Sequence, residues 1–207
     1  MLTIGANDLS FGDIAIACFT DDDCSAKGSD SHRAADVGLM FLPGRYAQLA
    51  QALKEAATGD EALKPEEVLI TGYPDPLRDD EGKICGTPRR RGDGRPSTQI
   101  KITRSNLITQ KEAKWASKTI RSLNTAVREA ARLHNWTFVD GITDAFSGHG
   151  YCATRDRWIM QYEESKTKQG DVEGTLHPNA EGHRKGYAPF LTAALEWLLD
   201  PERQEPR

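Results

Sequence analysis

No stretch of this 207-residue sequence is apolar for anything like the roughly 20 residues a membrane-spanning helix needs. Neither sign of charge dominates: 27 basic against 31 acidic residues leave a net charge of −4. That balance gives no electrostatic footing for nucleic acid or an anionic membrane surface. A basic segment followed by an apolar one, the mark of a signal peptide, is missing at Met1. Hydrophobic residues make up only 38%, yet the length suffices for one domain with a real core. These absences leave a soluble globular domain, read as one unit over residues 1–200 with a tail at 201–207.

Cysteine is scarce but even in number: Cys18, Cys24, Cys85 and Cys152. Cys18 and Cys24 flank an acidic run, FTDDD, which fits a small disulfide-closed loop. Free thiols are one alternative, and a metal site with His32 is another. Zinc sites favour closely spaced cysteine pairs matched by a second pair, and no second pair is present. Disulfides imply an oxidising compartment. That implication conflicts with the missing signal peptide and hints at a missing N-terminus.

The pattern alternates short strands with helices. Residues 2–5 read as the end of a buried strand, and Asn7 and Asp8 as the turn after it. A polar, cysteine-bearing loop follows. LPGRY then leads into the helix AQLAQALKEAAT, with Leu49, Leu53 and Ala56 on one stripe and Gly59 and Asp60 at its end. Residues 68–72 form a second strand, stopped by Tyr73-Pro74-Asp75-Pro76. Residues 77–105 are irregular and read as a solvated insertion pinned by Cys85, with a substrate-facing lid as the alternative. The Arg91-Gly92-Asp93 triplet inside it is too short to signal adhesion. A long helix over 106–134 carries Trp115, Ile120, Leu123, Val127 and Ala130 on one face. A third strand spans 136–140, and a loop over 145–160 carries Ser147, His149 and Cys152. A last helix opens at His177-Pro178-Asn179 and ends near Leu199. Tyr187, Phe190, Leu191, Leu195 and Leu198 form its stripe, and Gly182 and Pro189 predict a break or late start.

Strands alternating with helices predict an α/β fold, a parallel sheet covered on both faces. Sites in such folds lie beyond the carboxyl ends of the strands. Asn7, the turn at 73–75, the loop after Asp140 and the segment before His177 all belong there. A side-chain amide at Asn7 suits an oxyanion forming in acyl transfer. A histidine at 177 suits a general base for a hydroxyl nucleophile. Each residue also has a plain structural role open to it: Asn7 as a turn residue bonding its own backbone, and His177 as a satisfied surface residue at a helix start.

Taken together, the segments resemble the SGNH (GDSL-type) hydrolases. GANDLSFGDI resembles the family's Gly-x-Asn-Asp block, and GTLHPNAEGH its His-Pro-Asn block. GYPDP and FVDGITDAFSGHGYC resemble the intervening segments of its secreted bacterial esterases and lipases. The resemblance implies a three-layer α/β/α fold and hydrolysis of carboxylic esters, of lipids or other acyl compounds, by a serine nucleophile without metal or cofactor. It implies Asn7 as an oxyanion donor and His177 as the base. It implies the pairings Cys18–Cys24 and Cys85–Cys152, and a secreted enzyme.

Two departures stand out. The family usually places Asp three residues before the catalytic histidine, and here that residue is Gly174. Its backbone carbonyl is the expected replacement, with Asp171 and Glu173 as alternatives. The family's Gly-Asp-Ser block and the glycine block after it precede Gly-x-Asn-Asp, and Gly-Asp-Ser occurs nowhere in this chain. Ser147 is a poor substitute, because Ala145 holds the first glycine's place in a Gly-x-Ser-x-Gly elbow. His149 reads as support for the loop near Cys152. The expectation is therefore an esterase portion lacking its first two strands and its nucleophile, inactive alone. Another chain could supply the missing strands. A degenerate, non-catalytic binding module is the alternative.

Overall fold

The computed structural model describes residues 1–20, 23–59, 67–85, 89–90, 96–97, 99–101 and 107–200. The Arg91-Gly92-Asp93 triplet and the tail at 201–207 lie outside the described residues. Along the chain come α1 (Phe11–Thr20), α2 (Asp30–Gly59), β1 (Leu69–Thr71), β2 (Arg89–Arg90), β3 (Pro96–Ser97), β4 (Gln99–Lys101) and β5 (Leu107–Thr109). They are followed by α3 (Gln110–His134), β6 (Thr137–Val139), α4 (Ile142–Ala145), α5 (Tyr162–Gln169) and α6 (Ala188–Leu199).

The sheet is parallel. β1 pairs with β6, Ile70 opposite Phe138, and on its other edge Leu2 forms a parallel bridge to Ile70. The Leu2 N–H donates to Leu69 O at 2.8 Å and Leu2 O accepts from Thr71 N at 3.0 Å. The opening strand expected over residues 2–5 is thus reduced to one bridging residue before the chain turns. Alternation along the strands divides the core in two. Ile70 and Phe138 face α2 and α3, packing with Leu42, Tyr46, Leu123 and Val127. Leu69 and Val139 face the other way, where Phe190, Leu191 and Leu198 of α6 close over them. The result is a three-layer α/β/α fold.

Helix α3 follows its sequence pattern. Ile120, Leu123, Val127 and Ala130 are buried, with Trp115 packed partly buried at the edge. Its start is fixed by a capping box, Thr109 accepting from Glu112 N while the Glu112 carboxylate accepts from Thr109 N. Glu112 also accepts from Cys24 N at 3.1 Å, so the cap ties down the first disulfide loop.

The cysteine-bearing stretch departs from expectation. It is mostly helix, α1 and the first turns of α2, rather than loop. Ser29 caps α2 by accepting from His32 N at 3.1 Å. Pro43, read as a helix boundary, lies inside α2 on its exposed side. There the lost N–H bond weakens a turn without opening the buried stripe of Ala35, Leu42, Tyr46 and Ala50. The break foreseen near Gly182 and Pro189 takes the form of a π-helical turn, Gly182–Tyr187, before α6. The described part of 77–105 holds the short antiparallel pair β2 with β3, and β4, which pairs antiparallel with β5 just beyond it.

Candidate active site

Asn7 sits where the sheet edge ends. Gly5 turns the chain at φ +122°, and a Cβ there would collide with the Tyr46 hydroxyl. That hydroxyl donates to Ile4 O at 2.8 Å. The next N–H, of Ala6, donates to the Tyr73 hydroxyl at 3.2 Å. Residues Asn7–Leu9 then form a 3-10 turn anchored by Leu9, which is fully buried. Asn7 itself is exposed, and its side-chain amide makes no hydrogen bond among the described residues. Burial raises the Tyr73 hydroxyl above its ordinary pKa, and the neighbouring Asp8 carboxylate adds to the effect. Tyr73 therefore stays neutral as it braces the turn.

His177 is held by its backbone. The loop before it is clamped by the buried Ser165, whose hydroxyl donates to Asp171 O at 3.0 Å and accepts from Gly174 N at 3.1 Å. Leu176 N donates to Met160 O at 3.1 Å, and Met160 N to His177 O at 2.8 Å. Asn179 finishes the turn. Its Oδ1 accepts from Gly182 N at 3.0 Å as a helix cap, and its Nδ2 donates to Arg157 O at 2.9 Å. Between these ties Leu176 is left-handed, φ 68°. For a branched side chain that conformation costs on the order of 1–3 kcal/mol and persists only where its surroundings hold it.

The imidazole of His177 is exposed. Its Nδ1 lies 3.3 Å from Thr175 O. A carbonyl can only accept, so Nδ1 is the nitrogen that donates in this contact. The carbonyl expected in this role, Gly174 O, instead accepts the His177 backbone N–H at 3.0 Å. Asp171 spends its carboxylate on Glu173 N, 2.9 Å away. Neither Asp171 nor Glu173 makes a hydrogen bond or ion pair to the ring among the described residues.

A small apolar hollow has neighbours of both residues in its lining, though neither Asn7 nor His177 itself. Phe11 and Ile14 of α1, just beyond the Asn7 turn, form one wall, and Leu176 forms another. Tyr73, which braces Asn7, also lies close enough to Tyr187 of the π-helical turn to raise its hydroxyl pKa, although burial is the larger cause. The remaining candidates lie elsewhere. Ser147 packs against Gly82. His149 stacks on Trp158, ring centroids 3.8 Å apart, with Nδ1 2.6 Å from Asp156 O. That is the loop-supporting position read from the sequence. The cysteines form Cys18–Cys24 and Cys85–Cys152, which removes both the free-thiol and the metal alternatives. His32 instead stacks on Trp115, centroids 5.5 Å apart.

The fold is that of a three-layer α/β/α domain. The chain is a member of the GDSL-like lipase/acylhydrolase family, whose model matches residues 1–185. A lipase from Streptomyces rimosus is 23% identical over 193 residues, covering 93% of this chain and 59% of the relative. Among solved structures, phospholipase A1 from Streptomyces albidoflavus NA297 aligns with a TM-score of 0.60 at 22% identity, over 93% of this chain and 66% of that one. An extracellular lipase from Streptomyces rimosus aligns with a TM-score of 0.61 at 24% identity, over 93% of this chain and 67% of that one. The chain thus spans about three fifths of the curated relative's length.

Proposed function

We propose that this chain carries the base and oxyanion half of a serine ester-hydrolase site. His177 is the general base, acting through Nε2. Thr175 O orients its ring, and Gly174 O fixes the backbone turn beneath it. The Asn7 amide is an oxyanion donor. The substrate is a carboxylic ester, of a lipid or another acyl compound, and the chemistry needs no metal or cofactor. One observation supports the reading: Phe11, just beyond the Asn7 turn, and Leu176, just before His177, line one apolar hollow, on a chain of a lipase/acylhydrolase family. The two disulfides, together with an extracellular lipase among the similar structures, support a secreted protein.

The nucleophile lies outside these 207 residues. Gly-Asp-Ser is absent from them, and Ser117 and Ser165 are fully buried in structural hydrogen bonds. An ester hydrolase without its nucleophile keeps only what binding and the oxyanion donors supply. The chain alone is therefore inactive. The same absence favours a second reading, a non-catalytic module that binds acyl compounds.

The test is to sequence the DNA upstream of the Met1 codon and assay two proteins on p-nitrophenyl butanoate. The 207-residue chain should show no turnover above free imidazole and no labelling by a fluorophosphonate. A longer frame encoding Gly-Asp-Ser should hydrolyse the ester, losing about 10²–10³ in kcat on Asn7→Ala and more on His177→Ala. Turnover by the short chain, or labelling at an exposed serine such as Ser10, would overturn the claim of inactivity. If no such frame exists upstream and the short chain is silent, the binding-module reading replaces the catalytic one.

A further inference from the structure

The charge balance of the whole chain conceals a local excess. Helix α3 carries six basic residues and two acidic ones, in a chain whose net charge is −4, so the remaining residues carry −8. Lys111, Lys114, Lys118, Arg121, Arg128 and Arg132 recur at intervals of three, four or seven, which sets them on one helix face. All six are exposed, while Ile120, Leu123 and Val127 of the opposite face are buried. The basic stripe is roughly 30 Å long. Of the two acids, Glu112 is buried in the helix cap, and Glu129 is the one carboxylate on the exposed surface of α3. Three of the cations are paired: Lys111 with Asp23 at 2.7 Å, Arg128 with Asp140 at 3.1 Å and Arg132 with Glu129 at 3.0 Å. Lys114, Lys118 and Arg121 have no carboxylate partner among the described residues. Arg121 bonds a hydroxyl instead, donating to Ser117 Oγ at 2.8 Å.

We propose that this face of α3 docks on an anionic lipid surface, with Lys114, Lys118 and Arg121 as its principal contacts. A negatively charged leaflet attracts long basic side chains, and each one near the surface is worth about fivefold in affinity. The acidic remainder of the chain disfavours other orientations, so the stripe is the side that approaches. A polynucleotide fits less well. Bases need exposed aromatic side chains to stack on, and Trp115, the aromatic of α3, is half-buried and stacked on His32. The three unpaired cations lie in the half of α3 next to the candidate site. Ser117, one turn before Arg121, donates to the Asp75 carboxylate in the turn after β1, and Ala116 lines the same hollow as Phe11 and Leu176. Docking there brings that end of the molecule to the lipid. This placement counts in favour of lipid only through the proposed ester-hydrolase reading, whereas the charge of the stripe does not depend on it.

The 207-residue chain is sedimented with vesicles of phosphatidylcholine, alone and with about one third phosphatidylglycerol. It should bind the anionic vesicles only, and binding should weaken as salt is raised from about 50 to about 500 mM. Lys114→Gln with Lys118→Gln should lower the affinity about 30-fold at an unchanged urea midpoint, because both side chains are exposed and unpaired. Arg132→Gln removes a charge that is already paired and should cost less than either lysine alone. Equal binding to both vesicles, or a double variant that binds like wild type, would overturn the proposal. Binding to a DNA duplex as tight as that to anionic vesicles would also overturn it, in favour of a general polyanion surface. The two readings fail separately, because docking is measured on the 207-residue chain and catalysis on the longer frame with a soluble ester. If the short chain docks and the longer frame hydrolyses nothing, the docking face stands and the catalytic assignment falls. If the longer frame hydrolyses p-nitrophenyl butanoate and neither protein binds anionic vesicles, the docking face falls alone.

Discussion

The Asn124 side chain grips both ends of the Tyr73 peptide, accepting from Tyr73 N at 2.7 Å and donating to Tyr73 O at 2.8 Å. Tyr73 in turn accepts the N–H of Ala6, so a buried amide on α3 sets the position of the Asn7 turn through one intermediate side chain. Asn124→Leu would strand a buried N–H and weaken the satisfaction of a carbonyl that keeps only the Thr143 hydroxyl. The expected loss is about 2–4 kcal/mol, the cost of one or two buried groups left unpaired. Urea unfolding measures it, with the slope unchanged. Tyr73→Phe should cost less, about 0.5–1.5 kcal/mol. Its signature is faster hydrogen exchange at Ala6 with little change at Ile70.

Asn179 joins the His177 turn to two elements at once. It caps the helix that follows and donates to Arg157 O. Asn179→Ala removes both bonds and should destabilise by about 1–3 kcal/mol. Asn179→Asp keeps the cap oxygen but cannot donate to Arg157 O, so it should recover part of the loss. Thermal unfolding separates the three proteins. The His177 ring resonances should shift in the alanine variant and move back toward wild type in the aspartate variant.

The layering was legible because it depends on local periodicity. The short apolar run at Leu69 and Ile70, buried on both faces, and the helical stripe from Ile120 to Ala130 state how each element packs. The second half of α2 was legible, but α1 and the first turns of α2 were not. The FGDIAIACFT segment is apolar nearly throughout and shows no helical stripe, and Pro43 punctuates α2 on a face where the structure tolerates it. At the site, Asn7 and His177 stood out by residue type and motif. The carbonyl facing Nδ1 could not be foreseen, because its direction follows from the left-handed turn at Leu176, which no residue type announces. The bracing of Tyr73 by Asn124 escaped for a different reason: the two are 51 residues apart in sequence and meet only in the folded chain.

Asp80 gives the fold an acid-sensitive tie. Its carboxylate accepts from the Thr154 hydroxyl at 2.7 Å, and from Thr154 N at 3.0 Å and Arg155 N at 3.3 Å. The hydrogen bond from the Thr154 side chain is the main reason its pKa falls below the ordinary 3.8. In the unfolded chain the carboxyl protonates first as the pH drops, so the unfolded state binds more protons there. The stabilisation is therefore complete above about pH 4 and is lost as the pH falls through the folded value. Asp80→Asn should lower the urea midpoint at pH 7. The gap from wild type should shrink as the pH approaches 3. A gap that stays constant across that range would remove Asp80 from the acid response.

The two disulfides should contribute unequally. Cys85–Cys152 closes a sequence separation of 67 residues, whereas Cys18–Cys24 closes one of 6. If the crosslinks act by restricting the unfolded chain, the longer loop is worth about 4 kcal/mol and the shorter about 2 kcal/mol. The longer bridge also fastens the Leu77 turn, through Cys85 N donating to Leu77 O at 2.9 Å, to the loop whose Cys152 N donates to Arg78 O at 3.1 Å. Losing it frees two segments that pack together in the core on the α6 side of the sheet. Alkylation of the native chain without reductant should add no label. Cys85→Ala with Cys152→Ala should then lower the unfolding midpoint more than Cys18→Ala with Cys24→Ala. The reverse order would mean that the short loop acts through the folded state, by holding Cys24 N on Glu112 at the cap of α3.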